Sequence, residues 1–137
     1  MIRERGEVGY DGLTPASDLT ENILRVFEMV LEERGLPLTE FERQKPYLED
    51  EIYTHLITRF LEQVNLELYE PNGNKIEEYG LDIYYEEPSE NLNPEKELKE
   101  YTERVYDTIS RLDAPLEGTR YEFRIESKPG APKVGKR

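Results

Sequence analysis

The sequence predicts an α+β fold in which three helices pack on one side of a three-stranded, mixed sheet. Two observations indicate this class. Apolar residues recur at helical spacing in three segments, and in three other segments they alternate with polar residues. At 137 residues the chain has the ordinary size of one domain, so we expect a single domain over residues 1–137.

The N-terminal part is expected to comprise an arm and a first helix. Residues 1–16 show no period and contain several glycines, which predicts a loose arm holding one short strand at most. The helix is predicted over residues 18–34, with Ser17 or Asp18 as its cap and Gly35 as its stop. Its apolar stripe comprises Leu19, Ile23, Val26, Phe27, Val30 and Leu31.

Two further helices follow from the same spacing. The second is predicted over residues 47–62, because Pro46 suits a first helical turn. Its stripe comprises Leu48, Ile52, Leu56 and Phe60. The third is predicted from Pro94 to about Leu112, with Asn93 as its cap.

The three strands are predicted over residues 64–69, 75–86 and 119–127. An Asn-Gly turn joins the first two into a hairpin, and we expect a bulge or a twist near residues 77–80. A right-handed helical crossover makes the third strand parallel to the second, which gives the sheet order 2-1-3 with two outer edges. Six core residues are expected: Phe27, Phe60, Leu66, Ile83, Val105 and Phe123.

The charge pattern argues against two classes of partner. The chain carries 18 basic and 31 acidic residues, a net charge of −13, which repels nucleic acid and anionic membranes. Solubility, a salt-adapted host and a basic partner are three alternative explanations of this charge. No signal peptide or membrane-length apolar run is present, so we expect a cytoplasmic protein. Residues 128–137 are predicted to form a basic tail.

No pattern indicates catalysis, a cofactor or a metal. The chain has no cysteine, and its one histidine, His55, is interpreted as a residue at the border of an apolar stripe. The carboxylate pairs Glu77-Glu78 and Glu86-Glu87 are expected by chance, and Asp82 is read as a solvated charge. Residues 86–95 lack the alternating ligands of a calcium loop. We therefore predict no catalytic, cofactor-binding or metal-binding residues.

The outer strand at residues 119–127 is the predicted partner-binding edge, because an uncovered edge recruits another strand. The candidate residues are Thr119, Arg120, Glu122, Arg124 and Glu126. We expect the amide of Glu122 or Arg124 to point outward. Tyr69 and Tyr84, which face the polar side of their strands by parity, are candidates for a second interface; strand propensity is the alternative explanation.

Three segments resemble bacterial HORMA domains. Residues 61–71 read L-E-Q-V-N-L-E-L-Y-E-P and residues 81–85 read L-D-I-Y-Y, which is similar to the central hairpin of that family. Residues 121–132 read Y-E-F-R-I-E-S-K-P-G-A-P, which is similar to the end of its third core strand. The resemblance covers roughly residues 17–132 and includes the order of helices and strands.

The resemblance implies a function. HORMA domains are not enzymes; they bind short peptides of partner proteins by strand addition, and a C-terminal "safety belt" wraps over the peptide. Many bacterial members accompany a cGAS-like nucleotidyltransferase in anti-phage (CBASS) signalling, and an AAA+ ATPase reopens them. A belt should follow Pro132, where only five residues remain. We therefore expect a truncated form or a belt-less branch, for which an ATPase partner is doubtful.

The leading hypothesis is thus a HORMA-like adaptor that binds a protein or peptide, such as a nucleotidyltransferase or a second HORMA protein, or pairs with itself. A second hypothesis is an acidic decoy that mimics DNA and blocks a basic protein; its binding would collapse with salt. A third, a small hydrolase using carboxylates, has no motif in its support.

Overall fold

Four strands and three helices make up the computed structural model, which describes residues 1–89 and 91–134. Three helices were expected, and the fold class is confirmed as α+β. The elements in chain order are β1 (Ile2–Tyr10), α1 (Ala16–Glu33), α2 (Thr39–Ile57), β2 (Leu61–Tyr69), β3 (Lys75–Tyr85), α3 (Pro94–Ile109) and β4 (Arg120–Ser127). The last residues of the predicted basic tail, 135–137, lie outside the described residues.

The sheet has the order β1-β3-β2-β4. β2 pairs antiparallel with both β3 and β4, so the predicted order of these three strands is confirmed. The predicted number of strands is wrong, because β1 pairs in parallel with β3 and adds a fourth strand. β3 is therefore an inner strand, and the two edges of the sheet are β1 and β4.

The expected loose arm is instead the nine-residue strand β1. Glycines interrupt the alternation of apolar and polar residues in this segment, so the sequence did not predict the strand. In the structure, Gly6 and Gly9 allow other elements to approach β1 closely. A Cβ atom on Gly6 would lie 2.4 Å from the ring of Tyr101 on α3, and one on Gly9 would lie 2.5 Å from Leu92. Such distances are far below van der Waals contact, so α3 and the loop before it can approach β1 only where a side chain is absent.

Helix α1 matches its predicted apolar stripe, all of which is buried. Its start differs from expectation: Pro15 stands at the cap position and no side chain caps the helix, so the roles assigned to Ser17 and Asp18 are wrong. Gly35 follows the helix with φ +69°, a left-handed conformation that glycine adopts readily, as predicted for the stop.

Helix α2 begins eight residues before the predicted start and contains Pro46 in its interior. The upstream residues are held in the helix because Phe41 is buried and its ring lies 5.5 Å from that of Phe123. The helix ends at Ile57, so Phe60 is not on its stripe and is half-buried. The local preference of proline for a first turn has been overridden by the burial of Phe41.

The core lies between the three helices and one face of the sheet. Phe27, Leu66, Ile83 and Val105 are buried as predicted, whereas Phe123 is partly buried against the core. The bulge lies one residue before the predicted region: Leu68 pairs with Glu77 and Tyr69 with Lys75, which leaves Ile76 as the extra residue. In the part of the chain that the structure describes, no helix is long and apolar enough to cross a bilayer.

A buried ion pair joins the end of α1 to β3. The guanidinium of Arg34 donates from Nε and Nη2 to the two carboxylate oxygens of Glu77, over 3.0 and 2.8 Å. Nη2 also donates to the carbonyl of Asp113, in the loop after α3, over 3.0 Å. The Tyr79 hydroxyl donates to Glu77 as well, and burial followed by this bond raises the pKa of Tyr79, so the phenol stays a donor. This cluster connects three separate segments of the chain.

Candidate partner-binding edge

The outer side of β1 is covered by α3. Glu97 accepts a hydrogen bond from the backbone N–H of Gly9 over 3.0 Å. Arg104 donates to the carbonyl of Arg5 over 2.7 Å. Because helix side chains occupy these outward-pointing groups, β1 is poorly placed to accept another strand.

The outer side of β4 has a different environment. Among the described residues, β4 is hydrogen-bonded to one neighbouring strand, β2. Thr119 lies just before the strand, half-buried, and its hydroxyl donates to the carbonyl of Leu116 over 2.6 Å. The other predicted edge residues, Arg120, Glu122, Arg124 and Glu126, are exposed along β4. The structure therefore brings the five candidate residues together on one edge.

The sheet register determines which backbone groups of β4 face outward. The backbone N–H of Gly9 and the backbone carbonyl of Arg5 bond to α3, so the backbone groups of the odd-numbered residues of β1 point away from β3. The N–H and C=O of one strand residue point to the same side, and this side alternates along the strand. When the pairing is followed through β3 and β2, the outward residues of β4 are Tyr121, Phe123 and Ile125.

The expectation that Glu122 or Arg124 offers an outward amide is therefore wrong. Glu122 is paired with Glu67 and Arg124 with Asn65, in positions where the backbone groups bond to β2. The side chains of Glu122 and Arg124 still project from the polar face of the edge. Side-chain charge and free backbone groups thus belong to alternating residues.

A groove of about 1100 Å³ runs between the start of β4 and the side of α2. One wall carries Glu40, Tyr47 and Asp50 of α2, and the other carries Tyr121 and Glu122 of β4. This groove lies directly beside the free edge, so it offers space for a chain that pairs with β4.

The β4 wall of the groove is firmly held. The hydroxyl of Tyr121 donates to the carbonyl of Pro37 over 2.8 Å and accepts from the backbone N–H of Phe41 over 2.9 Å. Phe123 contacts the rings of Phe27 and Phe41, at centroid distances of 6.2 and 5.5 Å. An edge fixed in this way loses little conformational entropy when a partner binds.

The polar face of the sheet carries a network of charges around Glu67, which is only 3% exposed. Glu67 accepts hydrogen bonds from Lys75 over 2.9 Å and from Tyr69 over 3.0 Å, and Arg124 lies 3.4 Å away. These bonds connect β2, β3 and β4. Sequence parity predicted a polar residue here but could not show that neighbouring side chains bury it.

The network continues to β1 through Glu78. Arg3 and Lys75 each approach the Glu78 carboxylate to 3.0 Å, and Arg5 bonds to Asp82 over 2.7 Å. Burial opposes ionisation of Glu78, but the cations around it hold its pKa below the ordinary value. Hydrogen bonds to Glu67 and Glu78 raise the pKa of Lys75. Asp82 was expected to be a solvated charge, and it is instead paired.

Tyr69 and Tyr84 lie far apart on the polar face. Tyr69 pairs with Lys75 of β3, nine residues before Tyr84, a separation of about 30 Å along the strand. Tyr69 donates to Glu67, and Tyr84 donates to Glu97. Burial, then these carboxylates, raises the pKa of both phenols. The structure does not bring the two tyrosines into one surface, and their role as a second interface stays a prediction.

His55 is buried, not at a boundary. Its Nε2 lies 2.8 Å from the carbonyl of Pro132, and the Ser127 hydroxyl lies 2.6 Å from its Nδ1. Because a carbonyl only accepts, Nε2 carries the proton and Ser127 donates to Nδ1. His55 therefore holds the segment after β4 against the end of α2.

The carboxylates of Glu77 and Glu78 belong to two separate clusters. Glu77 points to the helical face and binds Arg34, whereas Glu78 points to the polar face and binds Lys75. Within residues 1–89 and 91–134, no group of three His, Cys, Asp or Glu side chains is arranged to hold a metal ion.

Comparison with known families identifies the chain. A model described as bacterial HORMA domain 2 matches residues 10–136, which is most of the sequence. A search of curated proteins gives no significant match. The match includes the three segments whose sequence resembles HORMA domains, and it ends beyond β4. The chain belongs to the bacterial HORMA domain 2 family.

Proposed function

We propose that this chain is a non-enzymatic adaptor that takes up an extended segment of a partner protein as a fifth strand beside β4. The HORMA domain is a protein-interaction fold, which supports an adaptor role. The observation that carries the proposal is the contrast between the two edges of the sheet. Side chains of α3 bond to outward groups of β1 at Arg5 and Gly9, whereas Tyr121, Phe123 and Ile125 of β4 have outward backbone groups and the first two of them line a groove.

The groove explains how the segment is held. Strand addition supplies backbone hydrogen bonds, which are independent of sequence, and side-chain pockets supply specificity. Tyr121, Phe123 and Ile125 provide the backbone groups, while α2 forms a wall over the apolar side of the incoming strand. The opposite side of that strand meets the charged residues of β4.

The proposed setting is anti-phage signalling in the cytoplasm, with a cGAS-like nucleotidyltransferase or a second HORMA protein as the partner. Membership of a bacterial HORMA family supports this setting. The genes beside this one provide a direct check, since a nucleotidyltransferase gene there is expected. Tyr69 and Tyr84 remain proposed sites of a second contact.

An acidic decoy remains a second candidate because of the net charge of −13. The two proposals differ in salt dependence. A decoy loses most of its affinity as ionic strength rises, because its contacts are exposed charges. A strand added beside β4 keeps its backbone hydrogen bonds and loses much less.

Hydrogen exchange tests the edge directly. Short displayed peptides are selected on the immobilised protein, and exchange of individual amides is followed with and without a selected peptide. The amides of Tyr121, Phe123 and Ile125 should become protected, whereas those of Glu122 and Arg124 are already bonded to β2. Protection confined to β1 or to the helices would place the interface elsewhere.

A proline variant gives an independent test. Ile125→Pro removes one outward N–H and fits an edge strand, where proline is tolerated. It should abolish peptide binding while the protein stays folded. Ile125→Val keeps the amide and is the matched control, which should bind like the parent. Full affinity in a folded Ile125→Pro variant would refute strand addition at this position.

A further inference from the structure

The exposed charges of β4 restrict which residues a partner strand can place opposite them. Arg120 and Glu122 lie two residues apart on the same face, and neither forms an ion pair within residues 1–89 and 91–134. Arg124, in contrast, already approaches Glu67 to 3.4 Å. The first half of the edge therefore presents one cation and one anion without partners.

The environment of Glu122 favours a nearby positive charge. It is directly paired with Glu67 on β2, and like charges at such a position repel each other. Glu67 is buried and already bonded to Lys75, so it is the Glu122 side chain that is left to face outward. A positive charge on an incoming strand would relieve this repulsion.

The backbone geometry brings that charge close. Because Tyr121 and Phe123 direct their backbone groups outward, Arg120 and Glu122 occupy the positions between hydrogen-bonded pairs. In an antiparallel ladder these are the positions where facing Cα atoms approach to about 4.5 Å. Side chains of the added strand would therefore stand directly against Arg120 and Glu122.

We propose that the partner segment carries a Lys or Arg facing Glu122 and an Asp or Glu facing Arg120, with one residue between them. This inference rests on the proposed strand addition. The intervening residue faces Tyr121 and lies under α2, so it is apolar. An antiparallel segment reads basic-apolar-acidic from its N-terminus, and a parallel segment reads acidic-apolar-basic.

The occupant is a single extended segment and not the same edge of a second copy. The alternation of Arg120, Glu122, Arg124 and Glu126 is self-complementary in an antiparallel pair, so charge alone permits a dimer. The helices do not. Phe41 and His55 of α2 contact Phe123 and Ser127, so α2 lies over β4.

In such a dimer, both α2 helices would lie on the same face of a continuous sheet. Neighbouring strands are about 4.8 Å apart, whereas a helix with its side chains is roughly 10–12 Å wide. The two helices would occupy the same space. A peptide without a helix above it avoids this collision and fits the groove.

Charge reversal of both partners tests this rule for the partner's sequence. Peptides selected on the parent protein should be enriched in a basic and an acidic residue separated by one apolar residue. Glu122→Lys should weaken such a peptide by about twofold to thirtyfold, the range expected when an attractive cross-strand pair becomes repulsive. A peptide with its basic residue changed to Glu should regain this loss on Glu122→Lys, measured by fluorescence anisotropy.

Glu103→Lys, an exposed change on α3 with the same change of net charge, is the control and should leave affinity unchanged. Selected peptides without this charge pattern, or equal affinity of parent and Glu122→Lys, would overturn the rule while leaving strand addition in place. If no peptide is enriched at all, strand addition and the rule both fail. A parent dimer that Glu122→Lys dissociates in sedimentation would show that a second copy is the occupant.

Discussion

Removing the charge of Glu77 should destabilise the protein strongly. Arg34 is 6% exposed and Glu77 is 4% exposed, and two hydrogen bonds of 3.0 and 2.8 Å join them. Glu77→Gln keeps the size of the side chain but leaves the Arg34 guanidinium buried without its counter-ion. Breaking a buried pair by changing one member costs about 3–5 kcal/mol. This is a large share of a total stability of roughly 5–15 kcal/mol.

Urea unfolding measures the effect. With an m-value of roughly 2 kcal/mol per molar, the midpoint of Glu77→Gln should fall by about 1.5–2.5 M while the m-value stays constant. The double variant Arg34→Met, Glu77→Leu should recover much of the loss, because replacing both members of a buried pair by apolar residues is often neutral.

Glu21→Gln is the control for a surface pair. Glu21 binds Arg25 over 2.7 Å, but both side chains are well exposed, so a loss of about 0–1 kcal/mol is expected. If Glu77→Gln unfolds at the same urea concentration as Glu21→Gln, the buried pair does not hold α1 to β3 and the reasoning is wrong.

Four further predictions concern other parts of the fold. Gly6→Ala should lower stability by about 1–3 kcal/mol in urea, because its Cβ would meet the ring of Tyr101; a stability equal to that of the parent would show that α3 can move away from β1. His55→Gln should speed amide exchange of Lys128, Gly130 and Ala131 while leaving peptide binding at β4 intact, and lost binding at unchanged stability would contradict the structural role of His55. Glu78, whose pKa is lowered on folding, should contribute stability above its unfolded pKa that is lost as pH falls through the folded value. Lys75, whose pKa is raised, should contribute stability that is lost as pH rises through its folded value, so thermal melts of Lys75→Met should show a smaller loss of stability at alkaline pH than those of the parent.

Helix α2 shows why element boundaries were harder to predict than element types. Pro46 at a helix start is a sound local expectation. It failed because Phe41, five residues earlier, packs against Phe123 from the far end of the chain. Phe60 falls outside the helix for a separate reason: α2 ends at Ile57, and Arg59 takes a left-handed conformation with φ 62° that the helix cannot continue through. A short stretch of sequence around Pro46 cannot show that Phe41 packs against a residue so far along the chain.

The sequence predicted which side chains of the candidate site are exposed, but not which of its backbone groups point outward. Arg120, Glu122, Arg124 and Glu126 are exposed on β4, as period-two alternation indicates. Which amides point outward depends on the hydrogen bonds of every strand across the sheet, beginning with β1. The wall that α2 adds beside the edge also depends on contacts between distant segments.

The sequence by itself determined the fold class, the apolar stripe of α1 and the order of β3, β2 and β4, because periodicity and the order of connections are read along the chain. Only the tertiary structure decided that β1 joins β3, that α3 covers this edge, and that β4 is the edge left open. It also decided that Glu67 is buried among Lys75, Tyr69 and Arg124. A parallel partner such as β1 lies about seventy residues away in the chain. The pairing of β1 with β3 also requires Gly6 beside Tyr101 of α3, where a side chain would not fit. The periodicity of the sequence does not reveal this contact.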